Sequence, residues 1–458
     1  MSLSSSSLAS VFKGHGFIKM TSKNKVYEGW LPLHFEMSAN LYVPFCLFFV
    51  FISVIIVAIY LNGSGSWAFN DMQNFHIPQI NTFIEHPFNV FNYSSSSATT
   101  PGFHILLAWL IRILGYQVVD QHVWPLRIAN LVISCLPVAV TFAGAWRLSG
   151  DAARAAALVA ALAGSSYVIG SAAYVTTDNG ALGFFALIIF LLNFHPNSRA
   201  WLAAAFAGLV AWRQIYLPVA GAIGLSIIRN QSLTRILNIR NVLNATLIIA
   251  PGLLLLGVWA LHWGGLVPPE FRTVNAAGFR PAVLLQALAM TGLLGFLFLP
   301  LNYRLIHAFD KRLLLSILGI SFILSASGWI LTPTDFDMDA GRWGSLIWLI
   351  SAHSPLIAKH SIAVLILTWI GMASLFCALA HAHAKNYFPA EALCLLFYFL
   401  GYSMQVLAWQ RYVEPQILIF FAFFTSRLPS KNTLPYVLPA GFGVLMTILT
   451  IYKSYQGA

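Results

Sequence analysis

Asp71 follows the first long apolar run, Leu41–Leu61, and His76 lies a few residues further on in Asn70-Asp-Met-Gln-Asn-Phe-His-Ile-Pro-Gln79. A carboxylate held beside hydrocarbon is costly unless it faces a water-filled cavity, so its position marks function. Such a group can take a proton from a hydroxyl as a general base. It equally suits the start of a short loop helix as a cap. Arg213, in Trp212-Arg-Gln214, sits between two short apolar segments. A guanidinium at that depth seeks an anion, a lipid phosphate being a natural one, or snorkels to headgroups. Asp178 closes the turn Tyr174-Val-Thr-Thr-Asp178, where it either orients a hydroxyl, ligates a metal or is an ordinary loop acid.

Three further groups are candidates. Thr99 and Thr100 precede Pro101-Gly102, and can either bond a sugar or cap the helix that Pro101 begins. Asp335, Asp337 and Asp339 alternate ahead of Arg342, loosely like a calcium loop, but no Glu follows at the liganding distance. Arg342 and Arg411 either join Arg213 on a phosphate or anchor helix ends.

The elements that position these groups must be membrane helices. The chain is 59% apolar and 9% charged, whereas a soluble domain carries roughly 25% charge. Hydropathy picks out thirteen crossings, from Leu41–Leu61 to Leu434–Tyr452. Gly180–Phe194, Trp201–Trp212 and Gln416–Thr425 are short for the purpose, since a bilayer takes about 20 residues. Thr100–Gln117 and Gly344–Ser354 suit helices lying at the interface. Residues 1–40 read as a cytoplasmic tail, its Ser-rich start disordered, and 41–458 as one multi-spanning domain. A long first outer loop with interfacial helices occupies 62–124, an enzyme-like arrangement.

With the N-terminus inside, cytoplasmic loops hold 16 of the 25 basic residues against five of the 14 acidic ones. That bias is the positive-inside pattern, so the net charge of +11 reflects topology and not nucleic-acid binding. The cysteines Cys46, Cys135, Cys377 and Cys394 lie in apolar runs and read as small core residues. His381 and His383 read as an interfacial helix end. The sequence has no P-loop, Rossmann glycine pattern or Ser-His-Asp signal, which excludes a nucleotide-driven pump and a cytoplasmic nucleotide-sugar enzyme. Sugar transfer from a lipid-phosphate donor fits: it needs a base at the acceptor hydroxyl and no general acid, because phosphate leaves as a stable anion.

Several segments resemble the dolichyl-phosphoglucose-dependent α-1,2-glucosyltransferases, a family of the GT-C superfamily of membrane glycosyltransferases. Asp71 to Gln79, with Phe75-His-Ile-Pro-Gln79, is similar to the family's first-loop acidic motif, Met72 replacing its second acid. Thr99-Thr-Pro-Gly102 resembles the step after that loop, and Pro125-Leu-Arg127-Ile-Ala-Asn130 its LRxxN segment. Tyr174–Asp178 looks like a YYTE-type turn with Asp for Glu, and Trp212-Arg213-Gln214 like F-R-Q. Gly264-Gly-Leu-Val267 resembles GGIV, followed here by Pro268-Pro269 instead of Gly-Asp. Asp339-Ala-Gly-Arg-Trp343 looks like DNRHY, and Gln410-Arg-Tyr412 with Pro415 like F-R-Y…P.

The resemblance implies an all-α polytopic membrane protein with the GT-C fold and about 11 to 14 transmembrane helices. It implies inverting transfer of a hexose, glucose above all, from a polyprenyl- or dolichyl-phosphate sugar. The acceptor would be a lipid-linked oligosaccharide or another glycan. Asp71 would be the base; Arg213, Arg342 and Arg411 would hold the phosphate. His76, Thr99, Thr100, Asp178 and Asp339 would position sugar hydroxyls and Gln214 would also bind substrate, with no cofactor and no obligatory metal. The membrane would be the endoplasmic reticulum or a bacterial inner membrane, with the site on the lumenal or periplasmic side. The alternatives are transfer of mannose or arabinose to a glycan, lipid A or protein, and a lipid-linked-sugar flippase or transporter.

Overall fold

Backbone polar groups in lipid must be paired within the chain, and a sequence this apolar meets that demand with helices. The computed structural model describes residues 42–61, 67–89, 91, 97–120, 122–228, 239–276, 278–428 and 434–456. The expected N-terminal tail and part of the first outer loop lie outside the described residues.

The helices are α1 (Tyr42–Leu61), α2 (Trp67–Asp71), α3 (Ile77–Glu85), α4 (Gly102–Ile113) and α5 (Trp124–Ser149). Next come α6 (Ala152–Ala163), α7 (Ser166–Ala173), α8 (Asp178–Phe194), α9 (Arg199–Trp212), α10 (Ala220–Ile228) and α11 (Ile239–Trp263). They continue with the one-turn α12 (Arg272–Asn275), α13 (Pro281–Ala308), α14 (Lys311–Leu331) and α15 (Leu346–Ala352). Last are α16 (Ile362–Ala384), α17 (Ala390–Tyr402), α18 (Glu414–Ser426) and α19 (Val437–Gln456). The described strands form one small hairpin, Leu356–Ile357 with His360–Ser361. Ala358 and Lys359 both have positive φ there, as a two-residue hairpin turn requires.

Every expected crossing is helical, and the protein is all-α and multi-pass. Among the described residues seven helices are long and apolar enough to cross a bilayer. A bent pair, α6 with α7, would make an eighth, and six shorter apolar helices, including α8, α9, α17 and α18, accompany them. Two expected spans differ in form. Ala155–Tyr174 bends by 71° between α6 and α7, where Gly164 meets the backbone of Gly443 so closely that a Cβ would lie 2.1 Å from its carbonyl oxygen. Ala390–Trp409 stops at Tyr402, because the next residues leave the helix: Arg280 N donates to Ser403 O (2.7 Å) and Val406 N to Val274 O (2.8 Å). The two expected interfacial segments are the short helices α4 and α15. Cys46 departs from its reading as a core residue, since it is exposed on the outer face of α1.

The long pair α13 and α16 is seated on glycines. A Cβ on Gly292 would lie 2.0 Å from Leu367 O, and one on Gly371 1.9 Å from Leu288 O. Small residues let backbones approach this closely and gain packing where lipid offers no hydrophobic drive. Gly371→Ala should therefore force the two helices apart, at a cost of about 1–3 kcal/mol. Gly257→Ala, with nothing within 4 Å, should be neutral or slightly stabilising, because alanine favours a helix interior. Thermal unfolding in detergent checks both, and equal melting temperatures for the two variants would contradict the packing assigned to Gly371.

Candidate active site

Asp71 ends the short helix α2, and a single wider π-type turn, Met72–His76, separates it from α3. That turn buries Met72 and His76 together while Asp71 stays partly open. Asp71 makes no cap bond, so the capping reading does not describe it. Arg411 Nη1 donates instead to Asp71 Oδ2 at 2.6 Å, with 11% of the arginine side chain and 19% of the aspartate side chain exposed.

The Arg411 guanidinium is boxed by rings, 4.7 Å from Trp67, 4.5 Å from Trp409 and 4.8 Å from Tyr412. Its Nη2 donates to the Tyr412 hydroxyl at 2.8 Å, while its buried Nε has no hydrogen-bond partner among the described residues.

A second pair lies beside the first. Arg213 follows the last residue of α9, Asp178 opens α8, and the two form an ion pair. The Arg213 guanidinium sits 4.9 Å from the Tyr412 ring, so both arginines share one aromatic ring. Each is matched by its own carboxylate, which is what two buried cations in such proximity require. Asp178 is thus an ion-pair partner, the specific role its turn position left open.

The turn that carries Arg411, Gln410–Tyr412, is clamped from below. The Tyr398 hydroxyl donates to Tyr412 O, and the Tyr402 hydroxyl to Trp409 O at 3.1 Å. Tyr216, Tyr398 and Tyr402 stack beneath, with centroid spacings of 4.5 and 6.2 Å. Gln416 Nε2 donates to the Tyr216 hydroxyl at 2.5 Å. Burial of those hydroxyls is tolerable because they are hydrogen-bonded, and it makes the turn rigid.

His76 is buried, and its Nδ1 lies 2.9 Å from His104 Nε2. Burial holds its imidazole well below the usual histidine range, helped by His104, Arg213 and Arg411. It is a neutral hydrogen-bonding group packed behind the arginines, not a cation, and its contact is a histidine where a sugar hydroxyl was expected.

The threonines hold the loop. Thr100 Oγ1 donates to Val210 O at 2.6 Å and its backbone N–H to Gln214 Oε1 at 3.0 Å. Gln214 Nε2 returns to Ala98 O at 2.6 Å, and Thr99 Oγ1 lies 3.0 Å from Ser97 Oγ. Neither threonine side chain caps α4. Thr100 and Gln214 therefore latch the end of the loop before α4 to the end of α9, bringing Arg213 alongside, while Thr99 bonds within that loop.

Asp339 and Arg342 lie on the neighbouring loop. Arg342 Nη1 donates to Asp335 Oδ1 at 2.7 Å. Asp337 Oδ1 accepts from the backbone N–H groups of Asp339 and Ala340 at 3.0 and 3.2 Å. Those acids build a turn, and among the described residues no group of three His, Cys, Asp or Glu is placed to hold a metal. The Asp339 side chain points away, exposed. This loop meets the arginine turn through Trp343 and Trp409, 5.1 Å apart.

The sequence reading missed Trp67, Trp409 and Tyr412, which nothing in the apolar pattern sets apart from other membrane aromatics. It also gave no role to Arg127 and Asn130. Asn130 Nδ2 donates to the carbonyls of Ser171, Ala172 and Tyr174, and Arg127 Nη1 to that of Ala173. They close the end of α7, on which α2 rests. His104 had a signal: it is a polar residue inside an apolar helix.

No protein-family model matches the sequence, and no curated protein matches it. Solved structures of similar backbone include ArnT from Cupriavidus metallidurans in the apo state, 15% identical with TM-score 0.31, covering 82% of this chain and 76% of that one. The same protein bound to undecaprenyl phosphate is 15% identical with TM-score 0.33, covering 85% and 77%. At this level the likeness carries no functional inference.

The depressed His76 has a pH signature. An unfolded histidine titrates near 6.5, whereas folded His76 titrates well below that. Below that pH the unfolded chain binds the extra proton, so the stability His76 contributes is present above about 6.5 and lost as pH falls, by up to 1.4 kcal/mol per unit. Melting temperatures between pH 7.5 and 5 should fall for the native protein and fall less for His76→Gln. Parallel curves would show that His76 is not held neutral.

Proposed function

We propose that the protein is a membrane glycosyltransferase that moves a sugar from a polyprenyl- or dolichyl-phosphate donor to a glycan acceptor with inversion. The resemblance of Asp71–Gln79 and Thr99–Gly102 makes glucose the sugar, a GT-C fold the scaffold, and the lumenal or periplasmic face the location. The single observation that supports this most is the Asp71–Arg411 pair in its aromatic box, set against Arg213 on a shared tyrosine ring. It combines a base for a hydroxyl with preorganised positive charge for a leaving phosphate.

The acceptor oxygen would attack the anomeric carbon as the bond to the phosphate oxygen breaks. Its proton would pass to Asp71, and the departing electron pair would go to the lipid phosphate beside Arg411 and Arg213. Without substrate, the Asp71 carboxylate is held in its ion pair with Arg411. An arriving donor phosphate offers Arg411 a second anion, including an acceptor for its unpartnered Nε. Donor binding would thereby release the carboxylate for the acceptor.

Asp71→Asn keeps the shape and removes the basicity, so kcat should drop by about 10²–10⁴. Arg213→Ala should raise the KM for donor more than it lowers kcat. Purified full chain in nanodiscs with radiolabelled polyprenyl-phosphate glucose and a lipid-linked oligosaccharide measures both. Undiminished transfer by Asp71→Asn would remove it as the base, and movement of donor across vesicles without transfer would favour a carrier.

A further inference from the structure

Glu414 is a fully buried carboxylate outside the reaction just described. It belongs to no ion pair among the described residues; the five pairs there involve other acids. Its Oε1 accepts from the Ser165 hydroxyl at 2.7 Å and its Oε2 from Gln410 Nε2. A buried charge held only by neutral donors is costly, and glutamine would fill the same space with less penalty.

The location of the two donors gives this arrangement its meaning. Asp71 is carried by α2, which rests on α7: Trp67 meets Tyr167 at 6.0 Å, Phe69 meets Tyr174 at 5.8 Å, and Gly170 faces Ala68. Ser165 stands at the bend where α7 begins. Arg411 is carried by the turn that also holds Gln410 and leads into α18. The two halves of the ion pair thus ride on separate pieces of the chain, and the Glu414 carboxylate bonds to the start of α7, which supports the first, and to the turn that carries the second. Gln410 Oε1 extends the link by accepting from Leu346 N at 2.8 Å.

We infer that Glu414 is the positioning residue that sets Arg411 against Asp71, by tying the start of α7 to the arginine turn through Ser165 and Gln410. The inference concerns the alignment of the pair, and its effect on transfer rests on the function proposed above. Reaction centres lose about 10²-fold in rate for a misplacement of about 1 Å. Glu414→Ala should therefore lower kcat on that scale with a smaller change in donor KM. Glu414→Gln should restore most of it, because the Ser165 hydroxyl can turn to accept from the new amide.

A readout independent of transfer is a double-mutant cycle of Asp71→Asn and Arg411→Gln, followed by melting temperature in nanodiscs. The two shifts should be non-additive in the native chain, additive in Glu414→Ala, and non-additive again in Glu414→Gln. Should Glu414→Ala fail to fold, Ser165→Ala removes one bond alone and should reduce the coupling. Coupling that persists unchanged in Glu414→Ala, or in Ser165→Ala if that is the variant measured, would overturn the inference. Coupling that follows Glu414 in a chain inactive with every donor would uphold the positioning and refute the enzymatic reading.

Discussion

Two guanidinium groups share the ring of Tyr412, and much of the architecture around the site follows from the need to neutralise them. Desolvating one arginine costs several kcal/mol even after relaxation. Placing two on one ring is stable only if each finds a carboxylate and an aromatic surface. Asp71 and Asp178 supply the charges, and Trp67 and Trp409 add ring surface on Arg411 to the Tyr412 ring that both arginines share. Those residues come from α2, the start of α8 and the arginine turn, so the pairing fixes how three distant stretches of chain converge.

Convergence of that kind requires a rigid support. The stacked tyrosines provide it, each hydroxyl spent on a bond that pins a carbonyl or side chain near the turn. Asn130 does the same for the end of α7 by satisfying three carbonyls at once. In a bundle whose contacts are mostly alkyl and aromatic, such directional bonds help to select one arrangement among many that bury similar area.

Much of this was legible because charge is rare in the chain. Asp71, Asp178, Arg213 and Arg411 stood out against an apolar background, and hydropathy located the helices that hold them. The pairing itself was not legible: nothing in the spacing joins Asp71 to Arg411, 340 positions apart. Thr99 and Thr100 looked like caps or sugar contacts, whereas their bonds run to α9 and to the loop itself, a tertiary outcome that local motif chemistry does not encode. The setting of Asp339 was not legible either. Its motif context was suggestive, but the turn it belongs to is built by Asp337, which leaves it in solvent. The bend between α6 and α7 was hidden because Gly443, against which its Gly164 packs, belongs to the last helix.

The brevity of α18 has a consequence for its two ends. Its 13 residues are all buried and span about 20 Å. The Arg411 turn lies at one end and the Arg427–Glu391 pair at the other. The hydrocarbon layer is about 30 Å thick, so both polar ends cannot reach its surfaces at once. If α18 crosses that layer, at least one polar end lies below the headgroups, where its ion pair and not water must satisfy the charge.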